Sequence, residues 1–324
     1  MNEPIRWKKK GILWRPDKKN VWSQKFGILP TPFQIREDSI RIFFATTDAD
    51  NIGRISFIDV DAANPCNILS DASDPILMEG APGSFDDSGV NPSFIETYGS
   101  EIRLYYIGYQ RSLKVPYLLF SGLALSTDGG KTFSRRNEVP FLDRRDCETS
   151  IRSAPVVVGT DMGRRIFYVS ASGWQTGTSG KSWPTYSIRT ILANDPDGLD
   201  WSGTSRICVS PNFVDGEIGL GRPWVIRENG MYRMWYSIRY LEPGENLVYR
   251  RIGYAESINA VEWTRLDDQF AFDRSADGWD SQMVCYPATI RSGDKLIMFY
   301  NGNGNGAEGF GYAEIELPIS GRKI

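Results

Sequence analysis

The chain has 324 residues, 41% of them hydrophobic and 13% aromatic, with 37 Lys and Arg against 40 Asp and Glu and a net charge of −3. That balance lacks the basic face that nucleic-acid binding requires, and no apolar run approaches the ~18 residues of a membrane-spanning helix. There is no histidine, which excludes Ser-His-Asp and Cys-His catalysis and histidine-ligated metals, and leaves proton transfer to carboxylates, Tyr or Lys.

Taken in order, the N-terminal segment has no apolar core of the kind a secretory signal needs. Trp7-Lys-Lys-Lys-Gly-Ile-Leu-Trp14 reads as a strand without a neighbour in sequence. Five copies of one pattern then follow: a proline opening an apolar strand, a turn, and a second strand rich in Tyr, Trp and Phe. They are Pro32-Phe-Gln-Ile with Ile42-Phe-Phe-Ala, Pro92-Ser-Phe-Ile with Leu104-Tyr-Tyr-Ile, Pro155-Val-Val-Val with Ile166-Phe-Tyr-Val, Pro223-Trp-Val-Ile with Met234-Trp-Tyr-Ser, and Pro287-Ala-Thr-Ile with Ile297-Met-Phe-Tyr. The prolines are 60, 63, 68 and 64 residues apart. A fixed period means repeated units that bury their faces only against one another. A third strand follows each pair (Arg54-Ile-Ser-Phe, Ser121-Gly-Leu-Ala, Ile188-Arg-Thr-Ile, Ile252-Gly-Tyr-Ala, Gly309-Phe-Gly-Tyr), and a fourth is marked by Phe133, Trp201 or Trp263.

Four short antiparallel strands per repeat predict an all-β five-bladed β-propeller. The chain forms one domain over residues 1–324, with blades near 24–80, 81–143, 144–212, 213–272, and 273–317 completed by 5–14. Pairing the N-terminal strand with the last repeat would close the ring and remove its exposed edges. Ser126-Thr-Asp-Gly-Gly-Lys-Thr-Phe133 resembles an Asp-box hairpin, expected to be structural. Cys66, Cys147, Cys208 and Cys285 form no CxxC pair and read as free thiols in a reducing, cytoplasmic compartment. No metal or cofactor is expected.

In a propeller the first strand of each blade lines a central channel, and the loop leading into it reaches the channel mouth. Four of those loops carry an acid six or seven residues before the proline: Asp86, Glu148, Glu217 and Asp280, with Asp87 a fifth. Their equivalent positions predict convergence on one axis, where crowded carboxylates would yield a catalytic acid and base. Acids in such loops can instead cap turns or pair with arginines. Arg54, Arg111, Arg152, Arg222 and Arg239 fall at the same end and could clamp an anionic group. Trp22, Tyr109, Trp174 and Tyr286 suit the C–H face of a sugar ring, with Gln24 and Gln282 as polar partners. Asn301-Gly-Asn-Gly-Asn-Gly306 opens no helix, so it reads as a strand-connecting loop rather than a phosphate loop, with Asn301 and Asn303 able to reach the channel.

Phe85-Asp-Asp-Ser-Gly-Val-Asn-Pro92, Leu104-Tyr-Tyr-Ile-Gly-Tyr109, Arg222-Pro-Trp with Tyr232-Arg-Met-Trp-Tyr-Ser237, and Gly278-Trp-Asp-Ser-Gln-Met-Val-Cys-Tyr-Pro287 with Met298-Phe-Tyr-Asn-Gly-Asn303 give the chain a likeness over nearly its full length. It resembles the furanosidase-type five-bladed glycoside hydrolases, which include arabinanases, invertases and β-mannoside phosphorylases. The subgroup it is most similar to is described as glycosyl hydrolase family 32 N-terminal-like. The resemblance implies action at a glycosidic bond, by hydrolysis or phosphorolysis. Two departures stand against carrying the hydrolase roles across. The first-blade acid is absent from Gly27-Ile-Leu-Pro-Thr-Pro32, and the third-blade acid is displaced to Glu148. A transferase of surface-polysaccharide assembly using an anionic sugar donor, and a non-catalytic propeller binding glycan or protein, are the alternatives. The expected ligand is a saccharide or sugar phosphate.

Overall fold

Alternating apolar strands punctuated by glycine and proline fold as the sequence pattern predicts, into antiparallel sheet. The computed structural model describes residues 7–176, 180, 182–241, 248–270 and 272–317. Its strands are β1 (Lys8–Trp14), β2 (Lys25–Arg36), β3 (Ser39–Thr47), β4 (Gly53–Asp61), β5 (Ile68–Asp71), β6 (Val90–Tyr98), β7 (Glu101–Arg111), β8 (Tyr117–Ser126), β9 (Ser134–Arg135), β10 (Ile151–Thr160), β11 (Gly163–Thr176), β12 (Ser182–Leu192), β13 (Arg206–Val209), β14 (Glu217–Glu228), β15 (Met231–Leu241), β16 (Val248–Ser257), β17 (Thr264–Arg265), β18 (Cys285–Ser292), β19 (Lys295–Asn301) and β20 (Phe310–Glu316). They form up-and-down units β2–β5, β6–β9, β10–β13, β14–β17 and β18–β20, the last completed by β1. β1 runs antiparallel to β20, with Lys8 opposite Glu314 and Lys9 opposite Ala313. Residues 5 and 6, which the sequence reading adds to this strand, lie outside the described residues.

The faces of neighbouring units bury one another in cyclic order. Phe43, Ile55 and Leu77 of the first unit pack with Leu104 and Tyr106 of the second. Tyr105 and Leu123 of the second pack with Ile166 and Trp201 of the third, and Val156 and Phe167 of the third with Met234 and Tyr236 of the fourth. Trp224 and Trp235 of the fourth pack with Met298 and Tyr300 of the fifth, and Phe299 and Phe310 of the fifth return to Ile42 and Phe44 of the first. Each such aromatic or aliphatic side chain contributes ~1.5–3 kcal/mol. The first strands also touch in sequence, β2 with β6, β6 with β10, β10 with β14, β14 with β18, and β18 with β2.

The repeating proline has a local cause. In units one, three, four and five, two residues of the first strand oppose one of the second: Leu29-Pro30, Ala154-Pro155, Arg222-Pro223 and Tyr286-Pro287. A bulge leaves an unpaired amide, and proline, with no N–H, fits there. The residue before each of these prolines is left-handed, with φ of 58°, 54°, 50° and 55°, at ~1–2 kcal/mol for a non-glycine residue. The first repeat is therefore anchored on Pro30, not on Pro32 as the spacing suggested. The second unit places its bulge at Ser93, whose hydroxyl donates to the Pro155 carbonyl (2.8 Å).

The Asp-box turn is structural, as expected. Asp128 accepts from the amides of Lys131 (3.0 Å) and Thr132 (3.1 Å). The glycine-rich Asn303–Gly306 is a single turn between β19 and β20, with Gly304 and Asn305 both at φ 61°.

Candidate functional site

The recurring acids have a common environment. Asp86, Glu148, Glu217 and Asp280 are all buried. Asp86 accepts from the Tyr106 hydroxyl on β7 (3.0 Å) and from Arg135 Nε on β9 (2.8 Å). Asp280 accepts from the Tyr300 hydroxyl on β19 (2.9 Å) and from Lys9 Nζ on β1 (2.7 Å). Glu217 takes both ends of the Arg265 guanidinium from β17 (2.9 and 2.6 Å), and Arg265 also holds Asp267, the acceptor for the Tyr236 hydroxyl (2.7 Å). Glu148 accepts from the Tyr168 hydroxyl (2.8 Å) and Arg152 Nε (2.9 Å), with Arg189 Nε 3.4 Å away.

These contacts share a plan: an acid before or at the start of the first strand, a tyrosine opposite the bulge, and a cation, which comes from the outer strand in units two, four and five and from β10 and β12 in unit three; in unit four the tyrosine bonds Asp267 in place of the acid. Gly122, Gly253 and Gly311 lie opposite Tyr106, Tyr236 and Tyr300 on the third strands. A Cβ at Gly122 would sit 2.1 Å from the Tyr106 ring, and one at Gly253 would sit 2.4 Å from that of Tyr236. In the third unit Arg189 replaces the glycine opposite Tyr168 and itself supplies a cation. The first unit has Phe44 opposite its bulge. The missing first-unit acid and the missing hydroxyl therefore go together.

Burial and the adjacent carboxylate push the Tyr106 and Tyr300 hydroxyls far up, so both remain proton donors. Burial would raise Glu148, but the Tyr168 hydroxyl and the Arg152 charge hold it below its ordinary value. Each of these four carboxylates is tied within its own unit, and no side chain bridges two of them among the described residues.

Asp87 differs. It is half-buried, accepts from the Gly83 amide (3.0 Å) and the Ser88 hydroxyl (2.8 Å), and has no cationic partner among the described residues. Its loop is laddered to Tyr109, whose carbonyl receives the Ser88 amide (3.0 Å).

Most of the expected polar ligands are engaged by the fold. Arg54 is clamped by Glu79 (2.7 and 2.7 Å) and Asp48 (2.9 Å). Arg152 belongs to the Glu148 latch, Arg111 donates to the Asp50 carbonyl, and Gln24 to that of Lys18 (3.1 Å). Asn301 receives the Leu29 amide (2.9 Å) and donates to the carbonyls of Gly27 (2.6 Å) and Gly309 (2.9 Å), pinning β19 to β2. Asn303 receives the Gln282 amide (2.7 Å) and donates to the Gly278 carbonyl (2.9 Å), so Gln282 is held through its backbone. Trp22 is half-buried in the loop ahead of β2. Arg222 crosses from β14 to the Pro287 carbonyl (2.8 Å), the Pro30 carbonyl (3.3 Å) and the Thr31 hydroxyl (2.8 Å). Burial brings it down to about 9. Both its terminal nitrogens are occupied by backbone and hydroxyl groups of two other units, which makes it a staple across three.

What does converge is aromatic and basic. Tyr109 packs on Tyr117 (ring centroids 5.3 Å apart), and Tyr117 packs on Trp174 (5.5 Å). The Tyr117 and Tyr186 hydroxyls are 3.1 Å apart. Arg239 lies over Tyr186 (4.6 Å) and Arg250 over Tyr286 (5.4 Å). These residues come from units two to five, all at the ends of strands bordering the second-to-third-strand loops or, for Tyr286, at the start of a first strand. Burial, together with Tyr117, raises the Tyr109 phenol to about 12. Sequence reading reached Tyr109, Trp174, Arg239 and Tyr286 but missed Tyr117, Tyr186 and Arg250. A usable signal existed: Tyr117 and Arg250 lie directly opposite Arg111 and Arg239 across their hairpins.

No family model matches the sequence. The uncharacterized protein Rv1502 of Mycobacterium tuberculosis (strain ATCC 25618 / H37Rv) is 33% identical over 314 residues, which is 96% of this chain and 100% of that protein. The uncharacterized protein MT1551 of strain CDC 1551 / Oshkosh matches to the same extent. Among solved structures, a glycosyl hydrolase from Bacteroides ovatus superposes with a TM-score of 0.69 at 12% identity, over 97% of this chain and 94% of the other. A thermostable family-43 glycoside hydrolase gives 0.68 at 17%, over 93% of each chain. A GH130 protein, from a family of mannoside phosphorylases containing hydrolases that target β-1,2 mannosidic linkages, gives 0.68 at 12%, over 99% and 97%. At these identities the likeness shows the fold: all-β, of the kind seen in glycoside hydrolases.

Proposed function

The chain belongs to the same family as Rv1502 of Mycobacterium tuberculosis, and from its fold and its channel mouth we propose that it is a single-domain, five-bladed propeller that binds a saccharide and acts at a glycosidic bond. The cyclic packing of the units supports the blade count and the closure by β1. The observation that carries the functional reading is the mouth itself, where Tyr109, Tyr117, Trp174, Tyr186 and Tyr286 from three units meet beside two arginines of a fourth. Aromatic faces of this kind take the apolar side of a sugar ring. The kinship to the furanosidase-type hydrolases, and to their family 32 N-terminal-like subgroup, is part of the same proposal.

Within it, Asp87 is the carboxylate assigned as general acid, because the other four are neutralised in their latches. Its proton would pass to the leaving oxygen as the glycosidic C–O bond breaks, while water or an anionic co-substrate adds to the anomeric carbon. The test is turnover of an oligosaccharide library, with hydrolysis and phosphorolysis followed separately. Asp87→Asn should abolish turnover while leaving saccharide binding and melting unchanged; full turnover in that variant removes Asp87 from the mechanism. A second reading, binding without chemistry, is favoured by the absence of any second free carboxylate beside Asp87 among the four recurring acids. It predicts tight saccharide binding and no product with any phosphate or water acceptor.

A further inference from the structure

Arg239 and Arg250 are direct partners across the β15–β16 hairpin. Like charges in that position repel, since opposed side chains on neighbouring strands are within about 5.5 Å at Cβ. Several other buried arginines meet carboxylates, Arg41 with Asp59 (2.7 Å), Arg103 with Glu101 (3.1 Å) and Arg233 with Glu228 (3.1 Å), whereas Arg165 and Arg222 bond only hydroxyls or carbonyls among the described residues. Arg239 and Arg250 have no carboxylate partner among the described residues.

Arg239 is 4% exposed. Its Nη1 donates to the Pro184 carbonyl (3.0 Å), and its Nε is buried without an acceptor. Arg250 donates to the Asn305 side chain. The groups nearest the pair are the phenols of Tyr117, Tyr186 and Tyr286 and the thiol of Cys285. Burial keeps that thiol up at about 12, so it adds no negative charge near neutral pH. Burial lowers Arg239, while Arg250, though burial acts on it too, is carried upward by the phenols and thiol around it. A guanidinium in this state presents a planar fork of donors to a group that the described residues do not supply.

We infer that Arg239 and Arg250 form an oxyanion subsite in the mouth, and that the saccharide handled there carries a carboxylate or a phosphate. This rests on the saccharide reading above and narrows it. A neutral sugar would satisfy the tyrosines and leave the two charges facing each other. An oxyanion takes charge-assisted bonds from both guanidinium groups and removes their repulsion in one step. Arg222 is not part of the subsite, its terminal donors being occupied by Pro30, Thr31 and Pro287.

Titration calorimetry on the full chain tests this with four probes: a hexuronate oligosaccharide, a hexose 1-phosphate, inorganic phosphate, and a neutral oligosaccharide of matched length. Arg250→Gln should weaken binding of the anionic saccharide roughly 30-fold or more, the loss typical of a charge-assisted bond, and leave the neutral one unchanged. Arg250→Lys should recover part of it. Without ligand, Arg250→Gln should melt at the wild-type temperature or above, because it removes a repulsion. A structural arginine would instead lower melting and change both affinities alike, and that result overturns the subsite. The hexuronate and phosphate arms decide which oxyanion is used. Binding of the neutral sugar with equal affinity to its anionic counterpart sinks the inference and leaves the saccharide reading standing. Binding of inorganic phosphate without any saccharide sustains the subsite and sinks that reading, and no binding in any arm sinks both.

Discussion

The latch geometry makes Asp86→Asn a discriminating substitution. Asp86 Oδ2 receives Tyr106 and Arg135, and Oδ1 receives the Ser84 hydroxyl (2.8 Å). An asparagine can keep its oxygen toward Tyr106 and Arg135 and turn its amide toward Ser84, whose hydroxyl can rotate to accept. What is then lost is the charge. Two bonds fall from the ~1.5–3 kcal/mol of a charged acceptor to the ~0.5–1.5 kcal/mol of a neutral one, which removes about 2–3 kcal/mol. The Arg135 side chain is only 16% exposed, so its orphaned charge is poorly solvated and adds to the cost. The sum, about 3 kcal/mol, falls at the lower end of what breaking a buried pair costs. Unfolding entropy of ~2.1 cal/mol/K per residue gives roughly 0.7 kcal/mol/K for a chain of this size, hence a fall of about 4 °C in Tm. Asp87→Asn, at a half-buried acid without a cation, should move Tm by less than a third of that. A double-mutant cycle of Asp86→Asn with Tyr106→Phe should show coupling of about 1 kcal/mol or more. An Asp86→Asn protein melting within 1 °C of wild type, or an Asp87→Asn protein destabilised just as much, would refute the latch.

Other consequences can be checked with the same equipment. Glu148 is held below its ordinary value, so its contribution is fully present above the unfolded glutamate value of about 4.3 and is lost as pH falls through the folded one. The stability gap between wild type and Glu148→Gln should therefore shrink under acid, and a gap constant from pH 7 to pH 3 would contradict the assignment. Deleting residues 1–14 removes β1, exposes the β20 edge and strips Lys9 from Asp280; it should lower Tm and promote association, and an unchanged melt would rule out the closure. Asn301→Ala orphans one amide and two carbonyls between β19 and β2, at ~1–3 kcal/mol each, so at least about 3 kcal/mol should be lost in urea unfolding. Phe44→Tyr should destabilise rather than improve the first unit, because its loop offers the new hydroxyl no acid.

The fold was legible because it repeats. The proline, the aromatic strand and the glycine-bearing third strand recur since every unit must solve the same packing problem, and Gly122, Gly253 and Gly311 recur since each lies beneath an aromatic ring. The spacing missed Pro30 because Thr31-Pro32 presents a second proline two residues on; only the bulge register separates them. The same logic applies to the acids. A residue present at one position in four units out of five reports what a unit needs, and here the acid of each of these four units is the counter-charge of a neighbouring cation. Phe44 makes the point by exception, since the unit that lacks the hydroxyl also lacks the acid. Function must be sought where the repeat is broken. Tyr117, Tyr186, Arg239 and Arg250 come from three different units, and only the cross-hairpin partners Arg111 and Arg239 point from the sequence to Tyr117 and Arg250. They become one site only when the units are set side by side, and two of them, Arg239 and Arg250, oppose each other with no carboxylate partner among the described residues.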